Sequence, residues 1–112
     1  TRGAPSTIDR IIDTYPPFQQ QQARVQLAGS LQAVISQQLV PTLEGTVTVA
    51  CEVMIATAAV RNLIREGKTH QLPSVIETGS RYGMQTMEQS LEGLVRRGVI
   101  AASVLEAYAR KQ

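Results

Sequence analysis

Apolar residues recur about every 3.6 positions along most of this chain, and at every second position in one central stretch. Near the start, Ile8, Ile11 and Ile12 have the spacing of the buried side of an amphipathic helix, which we predict over residues 6–14. Two consecutive prolines end that helix, because proline cannot donate a hydrogen bond within a continuing helix. The second proline suits the first turn of another helix, which the apolar pattern extends over residues 17–36.

The pattern changes to strict alternation over residues 46–55, which is typical of a β-strand with one buried apolar side. The more apolar side contains Val47, Val49, Cys51, Val53 and Ile55. Ala50 and Met54 on the other side are apolar too, which would allow cover on both sides. A shorter strand over residues 37–40 and a turn over 41–45 complete a predicted hairpin. A lone two-stranded hairpin is not stable in water, so we expect it to extend a larger sheet or to lie on helices.

Residues 57–67 predict a short helix with a threonine at its N-cap and a glycine just beyond its C-terminal end. Its apolar side consists of Val60, Leu63 and Ile64, and its polar side of Arg61, Asn62, Arg65 and Glu66. The polar side is not arranged for local stability, because Arg61 and Arg65 repel each other one turn apart and Glu66 lies at the negative end of the helix dipole. Two interpretations follow: an interaction surface, or an ordinary solvent-exposed side.

Three more helices are predicted in the second half of the chain, over residues 73–82, over residues 86–97 and from about Ala101 onward. Ser103 and Glu106 have the spacing of a capping box, which would favour a slightly later start for the last helix. We therefore expect a mostly helical structure in which the hairpin is the one β element.

The composition of the chain argues against several classes of function. Of its 112 residues, 43% are hydrophobic, as in globular domains, and no apolar run approaches the ~20 residues of a membrane helix. A net charge of +2, with three tyrosines and one phenylalanine, argues against a nucleic-acid interface. Cys51 is the only cysteine, so an internal disulfide is impossible, and we expect a small buried residue in a reducing compartment.

The segment from Gly67 to Thr69 resembles the end of a phosphate-binding P-loop, but the rest of that motif is absent. A P-loop requires an earlier glycine where this chain has Asn62, and it follows a strand instead of a helix. His70, the only histidine, has no second histidine, cysteine or spaced acid to complete a metal site. We therefore predict neither a phosphate site nor a metal site in this loop, and no pattern here is typical of a catalytic site.

Two long segments of the chain resemble a known protein family. They are TIDRIIDTYPPFQQQQARVQLAGSLQAVISQQLVP, beginning at Thr7, and EVMIATAAVRNLIREGKTHQLPSVIETGSRYGMQTMEQSLEGLVRRGVI, beginning at Glu52. Both resemble the C-terminal part of the type IV pilus retraction ATPase, the twitching-motility motor of the secretion-ATPase superfamily. AVRNLIRE over residues 59–66 is similar to the AIRNLIRE signature of that family, although Ala58 stands where the family usually has proline. Further support comes from GMQTM over residues 83–87 and QQQQARVQL over residues 19–27.

This resemblance implies an α/β fragment, mostly helical, that is only part of a motor. Residues 1–56 would be the C-terminal portion of a RecA-like ATPase core (helix, long helix and hairpin), with the hairpin belonging to a RecA-like sheet. Residues 57–112 would be a C-terminal helical bundle that carries the AVRNLIRE helix. The Walker A, Asp box, Walker B and His box segments of the family lie upstream, so ATP and Mg²⁺ are implied for the intact protein and no cofactor for this segment alone.

The function implied by the resemblance is ATP-driven pilus retraction by a hexamer that acts on the inner-membrane pilus platform. Such a motor would be cytoplasmic and peripheral to the inner membrane, without nucleic-acid binding or direct membrane insertion. The polar residues of AVRNLIRE would couple hydrolysis to retraction, and the apolar residues would anchor the helix. This retraction-coupling motif consists of Ala59, Val60, Arg61, Asn62, Leu63, Ile64, Arg65 and Glu66.

An alternative from a different class is a freestanding helical adaptor that binds a protein partner through Arg61 and Arg65. The adaptor would enclose the hairpin with its own helices, whereas a motor fragment would leave part of the hairpin uncovered. The two interpretations therefore make opposite predictions about the surroundings of the two strands.

Overall fold

The computed structural model describes residues 3–111, which are mostly helical with one antiparallel β-hairpin, as the sequence predicts. The helices are α1 (Gly3–Asp13), α2 (Gln20–Ser30), α3 (Ala58–Arg65), α4 (Leu72–Glu77), α5 (Met87–Arg96) and α6 (Ala102–Arg110). The strands are β1 (Ala33–Pro41) and β2 (Val47–Ile55). Single 3₁₀ turns lie at Pro17–Gln19, Thr69–Gln71 and Ser80–Tyr82.

The predicted second helix was too long, because residues 33–36 belong to β1. The structure ends α2 at Ser30, and Leu31 already has extended backbone angles of φ −69° and ψ 136°. From Ala33 to Pro41, every residue of β1 is paired with a residue of β2. The apolar residues of this region fit a helical and an alternating pattern equally well, and pairing with β2 decides between them.

β2 begins one residue later than predicted and ends where predicted, but the side of the strand that the chain itself covers is not the valine-rich side. Ala50, Glu52 and Met54 are buried, because α1 and α5 pack on that side of the hairpin. Val47 and Val49, on the other side, are 64% and 45% exposed. Within residues 3–111 the valine-rich side is therefore the less covered of the two sides.

Two clusters of buried side chains form the core, one on each side of Glu52 along the hairpin. The larger cluster joins α1, α2, α3 and α4 to the start of β1 and the end of β2, and the smaller one joins α5 and α6 to the hairpin near its turn. Fully or almost fully buried members include Ile8, Met54, Val60, Ile64, Leu72 and Ile76 in the first cluster, and Ala50, Leu91 and Ile100 in the second.

The helix ends of the second half follow local capping rules with two differences from prediction. α4 stops at Glu77, and a separate 3₁₀ turn ends at Gly83, which has a φ of +87°. α5 begins as expected, because Thr86 and Gln89 form a capping box. The capping box suggested for the last helix does not form: α6 begins at Ala102 with no side-chain cap.

Candidate functional site

α3 is positioned by the caps and the apolar side that its sequence predicts. The hydroxyl of Thr57 accepts a hydrogen bond from the Val60 N–H at 3.4 Å, and Gly67 has a φ of +72° just beyond the helix. Val60 and Ile64 are fully buried, and Leu63 packs at the edge of the same core cluster. The helix is therefore held rigidly against the body, with its polar side turned outward or towards α2.

Arg61 has a structural contact that the sequence does not reveal. Its guanidinium donates a hydrogen bond to the carbonyl oxygen of Ala28, in the last turn of α2, and the side chain is only partly exposed. The last carbonyls of a helix lack partners within the helix and carry partial negative charge, so a cation there is favourable. Arg61 therefore ties α3 to the C-terminal end of α2.

Arg65 lies within a chain of hydrogen bonds that links α3 to the start of α2. The guanidinium of Arg65 donates to the side-chain oxygen of Asn62 at 2.6 Å, and the backbone oxygen of Arg65 accepts from the Gln21 amide at 3.0 Å. Gln21 in turn accepts a hydrogen bond from Arg24 at 3.2 Å. This chain connects Arg24 of α2 to Arg65 of α3 through the side chain of Gln21.

These residues border an open groove between α2 and α3, which we call the α2–α3 groove. It has a volume of about 590 Å³ and is lined by Gln21, Val25, Arg65, Glu66 and Lys68. Lys68 and Glu66 form an ion pair at 3.4 Å, with both side chains more than half exposed. Part of the predicted coupling motif therefore lies on an accessible surface that also includes α2.

The loop after α3 has the structure of a helix end. Lys68 donates its backbone N–H to Leu63, and Thr69 donates its hydroxyl to the Asp9 carboxylate at 2.7 Å. His70 is exposed. Within residues 3–111 no three potential metal ligands come together, and in the same part of the chain no helix has the length and hydrophobicity needed to cross a membrane.

A second surface of interest is the outward side of the hairpin, which is more apolar than the side covered by α1 and α5. It consists of the cross-strand pairs Ala33–Ile55, Ile35–Val53, Gln37–Cys51, Leu39–Val49 and Pro41–Val47. Ile35 and Leu39 are 60% and 68% exposed, and Cys51 is only partly buried. An extended patch of exposed apolar residues indicates a surface that another part of a protein normally covers.

The two edges of the hairpin differ. Val53 in β2 exchanges two backbone hydrogen bonds with Gln85, at 2.9 and 3.1 Å. The Cys51 N–H donates to the Ser90 hydroxyl at 3.0 Å, and the Cys51 carbonyl accepts from the Gln85 amide at 2.8 Å. The edge of β2 is therefore occupied near its centre.

Within residues 3–111 the outer edge of β1 is open, in contrast to that of β2. Ile35 and Gln37 lie opposite Val53 and Cys51, whose backbone groups point away from β1. In an antiparallel ladder both members of such a pair turn their backbone groups outward, so Ile35 and Gln37 present N–H and C=O groups along the outer edge of β1. This edge is available for another strand within the part of the chain that the structure describes.

Glu52 is an important residue that sequence analysis missed. Its carboxylate is buried and accepts hydrogen bonds from the backbone N–H groups of Ala4 at 2.7 Å and Met87 at 3.2 Å. These N–H groups belong to the first turns of α1 and α5, where helices lack internal partners and favour an anion. The signal in the sequence is an acid on one side of an otherwise apolar strand.

Comparisons with known proteins find similarity to proteins of pilus retraction and twitching motility, although no protein-family model matches the chain. It is 53% identical over 102 residues to a twitching motility protein of Neisseria gonorrhoeae, covering 90% of this chain and 27% of that protein. It is 46% identical over 101 residues to the type IV pilus retraction ATPase PilT of Pseudomonas aeruginosa, covering 90% of this chain and 29% of that protein. The chain thus spans less than a third of these relatives.

Solved structures agree with the sequence comparisons. The chain superposes on the crystal structure of the pilus retraction motor PilT with bound ADP, with a TM-score of 0.82 and 40% identity over 94% of this chain and 29% of that one. It also superposes on the ATPase DotB of Legionella pneumophila, with a TM-score of 0.81 over all of this chain and 30% of that one. At 20% identity the second match supports the fold alone.

Proposed function

Because the chain is homologous to a segment of the PilT-family pilus retraction ATPases, we propose that it is part of a hexameric motor that powers type IV pilus retraction and twitching motility. The observation that carries this proposal is the identity of 46% to a type IV pilus retraction ATPase and of 53% to a twitching motility protein, each over 90% of the chain. The intact protein would hydrolyse ATP and act on the pilus platform from the cytoplasmic side of the inner membrane.

The division of the chain is part of the proposal. Residues 1–56 would complete the ATPase core, and residues 57–112 would form the helical region that carries α3. The outward side of the hairpin and the open edge of β1 support this division, because each offers a place for the remainder of a larger sheet. A freestanding adaptor is disfavoured by the same observation, since it would leave Ile35 and Leu39 exposed to water.

ATP with Mg²⁺ is proposed as the cofactor of the intact protein, in keeping with the ADP in the related crystal structure. The loop that follows α3 does not fit a nucleotide phosphate: Lys68 is paired with Glu66, and Thr69 donates to Asp9. Nucleotide binding is therefore assigned to residues outside this segment, and the role of the segment is to transmit the result of hydrolysis.

The retraction-coupling motif, Ala59 to Glu66, would perform that transmission. Val60 and Ile64 are buried in the core and Leu63 packs against it, so a movement of the core moves the helix as a unit, whereas Ala59 is exposed. Its polar residues divide into two groups: Arg61 is engaged with α2, whereas Asn62, Arg65 and Glu66 lie on the exposed side. We assign the contact with the retraction machinery to the exposed group and the orientation of α3 to Arg61.

The test uses the full-length protein with Arg61→Ala and Arg65→Ala combined, and separately with Arg65→Ala alone. We expect retraction to fall more than ATP turnover in both variants, because hydrolysis takes place elsewhere. Arg96→Ala with Arg97→Ala is the matched control, since it removes two exposed cations from the end of α5. Equal losses of turnover and retraction in the α3 variants would contradict the coupling role.

A further inference from the structure

We propose that the α2–α3 groove binds an acidic segment of a partner protein, with a carboxylate held between Arg24 and Arg65. This inference rests on the proposed coupling role of α3 and names the chemistry of its partner. It also extends the binding surface to α2, through Arg24 and Gln21, which lie far from the AVRNLIRE motif in sequence.

The two guanidinium groups are held in place without being neutralised. Arg24 donates to the amide oxygen of Gln21, and Arg65 donates to the amide oxygen of Asn62. Both acceptors are uncharged, so neither arginine loses its attraction for an anion. Each guanidinium has five N–H donors and uses one of them in these contacts, which leaves donors free for a bidentate bond to a carboxylate.

Backbone geometry at the end of α3 brings Arg24 close to the groove. Gly67 has a φ of +72°, and a Cβ atom at that position would lie 3.4 Å from Nε of Arg24. The glycine thus lets the chain turn directly beneath the guanidinium. Gln21 bonds simultaneously to Arg24 and to the backbone of Arg65, so one residue of the lining connects both arginines.

The balance of charge around the groove favours an acidic ligand. Arg65 and Lys68 are the two cations in the lining, and Glu66 is its one acid. Arg24 adds a third cation at the edge of the groove, where it bonds to the lining residue Gln21. Glu66 is already paired with Lys68, so it does not neutralise either arginine. The partly exposed side chain of Val25 adds an apolar wall, which a peptide could contact with its aliphatic groups.

A protein segment fits this surface better than a membrane. A bilayer presents a broad surface of headgroups, which would meet the whole lining of this open groove at once, Glu66 included. Glu66 would repel the lipid phosphates that it faced. A single carboxylate side chain can enter between the arginines without approaching Glu66.

The test is peptide binding to the full-length protein, measured by fluorescence anisotropy without nucleotide or pili. The probe is a fluorescein-labelled peptide of alternating glutamate and serine, with glutamine replacing glutamate in the control peptide. Arg24→Gln combined with Lys68→Gln leaves AVRNLIRE intact and removes two cations from the groove. We expect this variant to bind the acidic peptide at least about tenfold more weakly than the wild-type protein.

Two further variants make the result specific to the groove. Arg96→Gln with Arg97→Gln removes the same charge from α5 and should leave peptide affinity within about twofold of wild type. Glu66→Gln removes the acid of the lining and should tighten binding by a similar small factor. All of these differences should shrink at high salt, because they are electrostatic.

Equal weakening by the groove variant and the α5 variant would overturn the proposal, because it would show only an effect of net charge. Failure of wild-type protein to bind the acidic peptide at ~1 mM would overturn it too. So would groove-dependent binding to phosphatidylglycerol vesicles without binding to the peptide, which would indicate a lipid ligand. Since the assay involves neither ATP turnover nor retraction, its failure is distinct from failure of the proposed motor function.

Discussion

Replacement of Glu52 should loosen two helices at once. The Glu52 carboxylate accepts backbone hydrogen bonds from Ala4 at 2.7 Å and from Met87 at 3.2 Å, in the first turns of α1 and α5. A hydrogen bond to a charged group contributes about 1.5–3 kcal/mol, so Glu52→Ala removes two such bonds and costs about 3–6 kcal/mol. Glu52→Gln keeps one acceptor oxygen but places an N–H₂ donor against the other backbone N–H, so it should cost about half as much.

The measurement is hydrogen exchange by mass spectrometry on the full-length protein, resolved to the peptides that contain the starts of α1 and α5. If the free energy of local opening falls by about 3 kcal/mol, hydrogen exchange in both peptides should accelerate by roughly two orders of magnitude. Glu88→Ala is the matched control, because it removes an exposed acid from the first turn of α5 and should cost no more than about 1 kcal/mol.

The result that would refute this reasoning is equal protection in Glu52→Ala and Glu88→Ala. It would mean that the two backbone bonds contribute little, and that packing alone holds α1 and α5 on the hairpin. Acceleration in only one of the two peptides would show that Glu52 supports a single helix, contrary to the bridging role that the geometry indicates.

Three other predictions concern the caps, the hairpin and α2. Thr86→Ala removes the capping box with Gln89 and should destabilise the start of α5 by about 1 kcal/mol, measured by urea unfolding. The isolated 112-residue chain should self-associate through its exposed apolar surface, and Ile35→Gln with Leu39→Gln should reduce that association in sedimentation experiments; a wild-type monomer at all concentrations would contradict this. Gly29→Ala should stabilise α2 by up to about 1 kcal/mol, because nothing lies within 4 Å of the added methyl group; a loss in melting temperature would contradict it.

Local signals in the sequence were sufficient to predict the positions of several helices and strands. Strict alternation placed β2 to within one residue, because only an extended chain brings every second residue to one side. Thr57 and Gly67 bounded α3, because a hydroxyl at the N-cap and a positive φ at the C-terminal end are requirements of the residues themselves. The need for further structure around the hairpin also followed from sequence, since two strands alone do not bury their apolar residues.

Tertiary structure decided the features that depend on distant residues. Residues 33–36 became a strand because β2 offered nine paired positions, which no local pattern reports. Arg61 turned towards Ala28, 33 positions away, and Glu52 joined the starts of two helices 48 and 35 positions from it along the chain.

Tertiary structure also decided which side of the hairpin is covered. Alternation shows that a strand has two different sides, and here it marked the valine-rich side as the more apolar one. It does not show which side the helices of this chain will occupy, because the path of α1 and α5 is set by their own packing and by Glu52. Sequence thus determined the periodicity, the caps and the need for a cover, while the folded chain decided which polar groups meet and which apolar surface stays open.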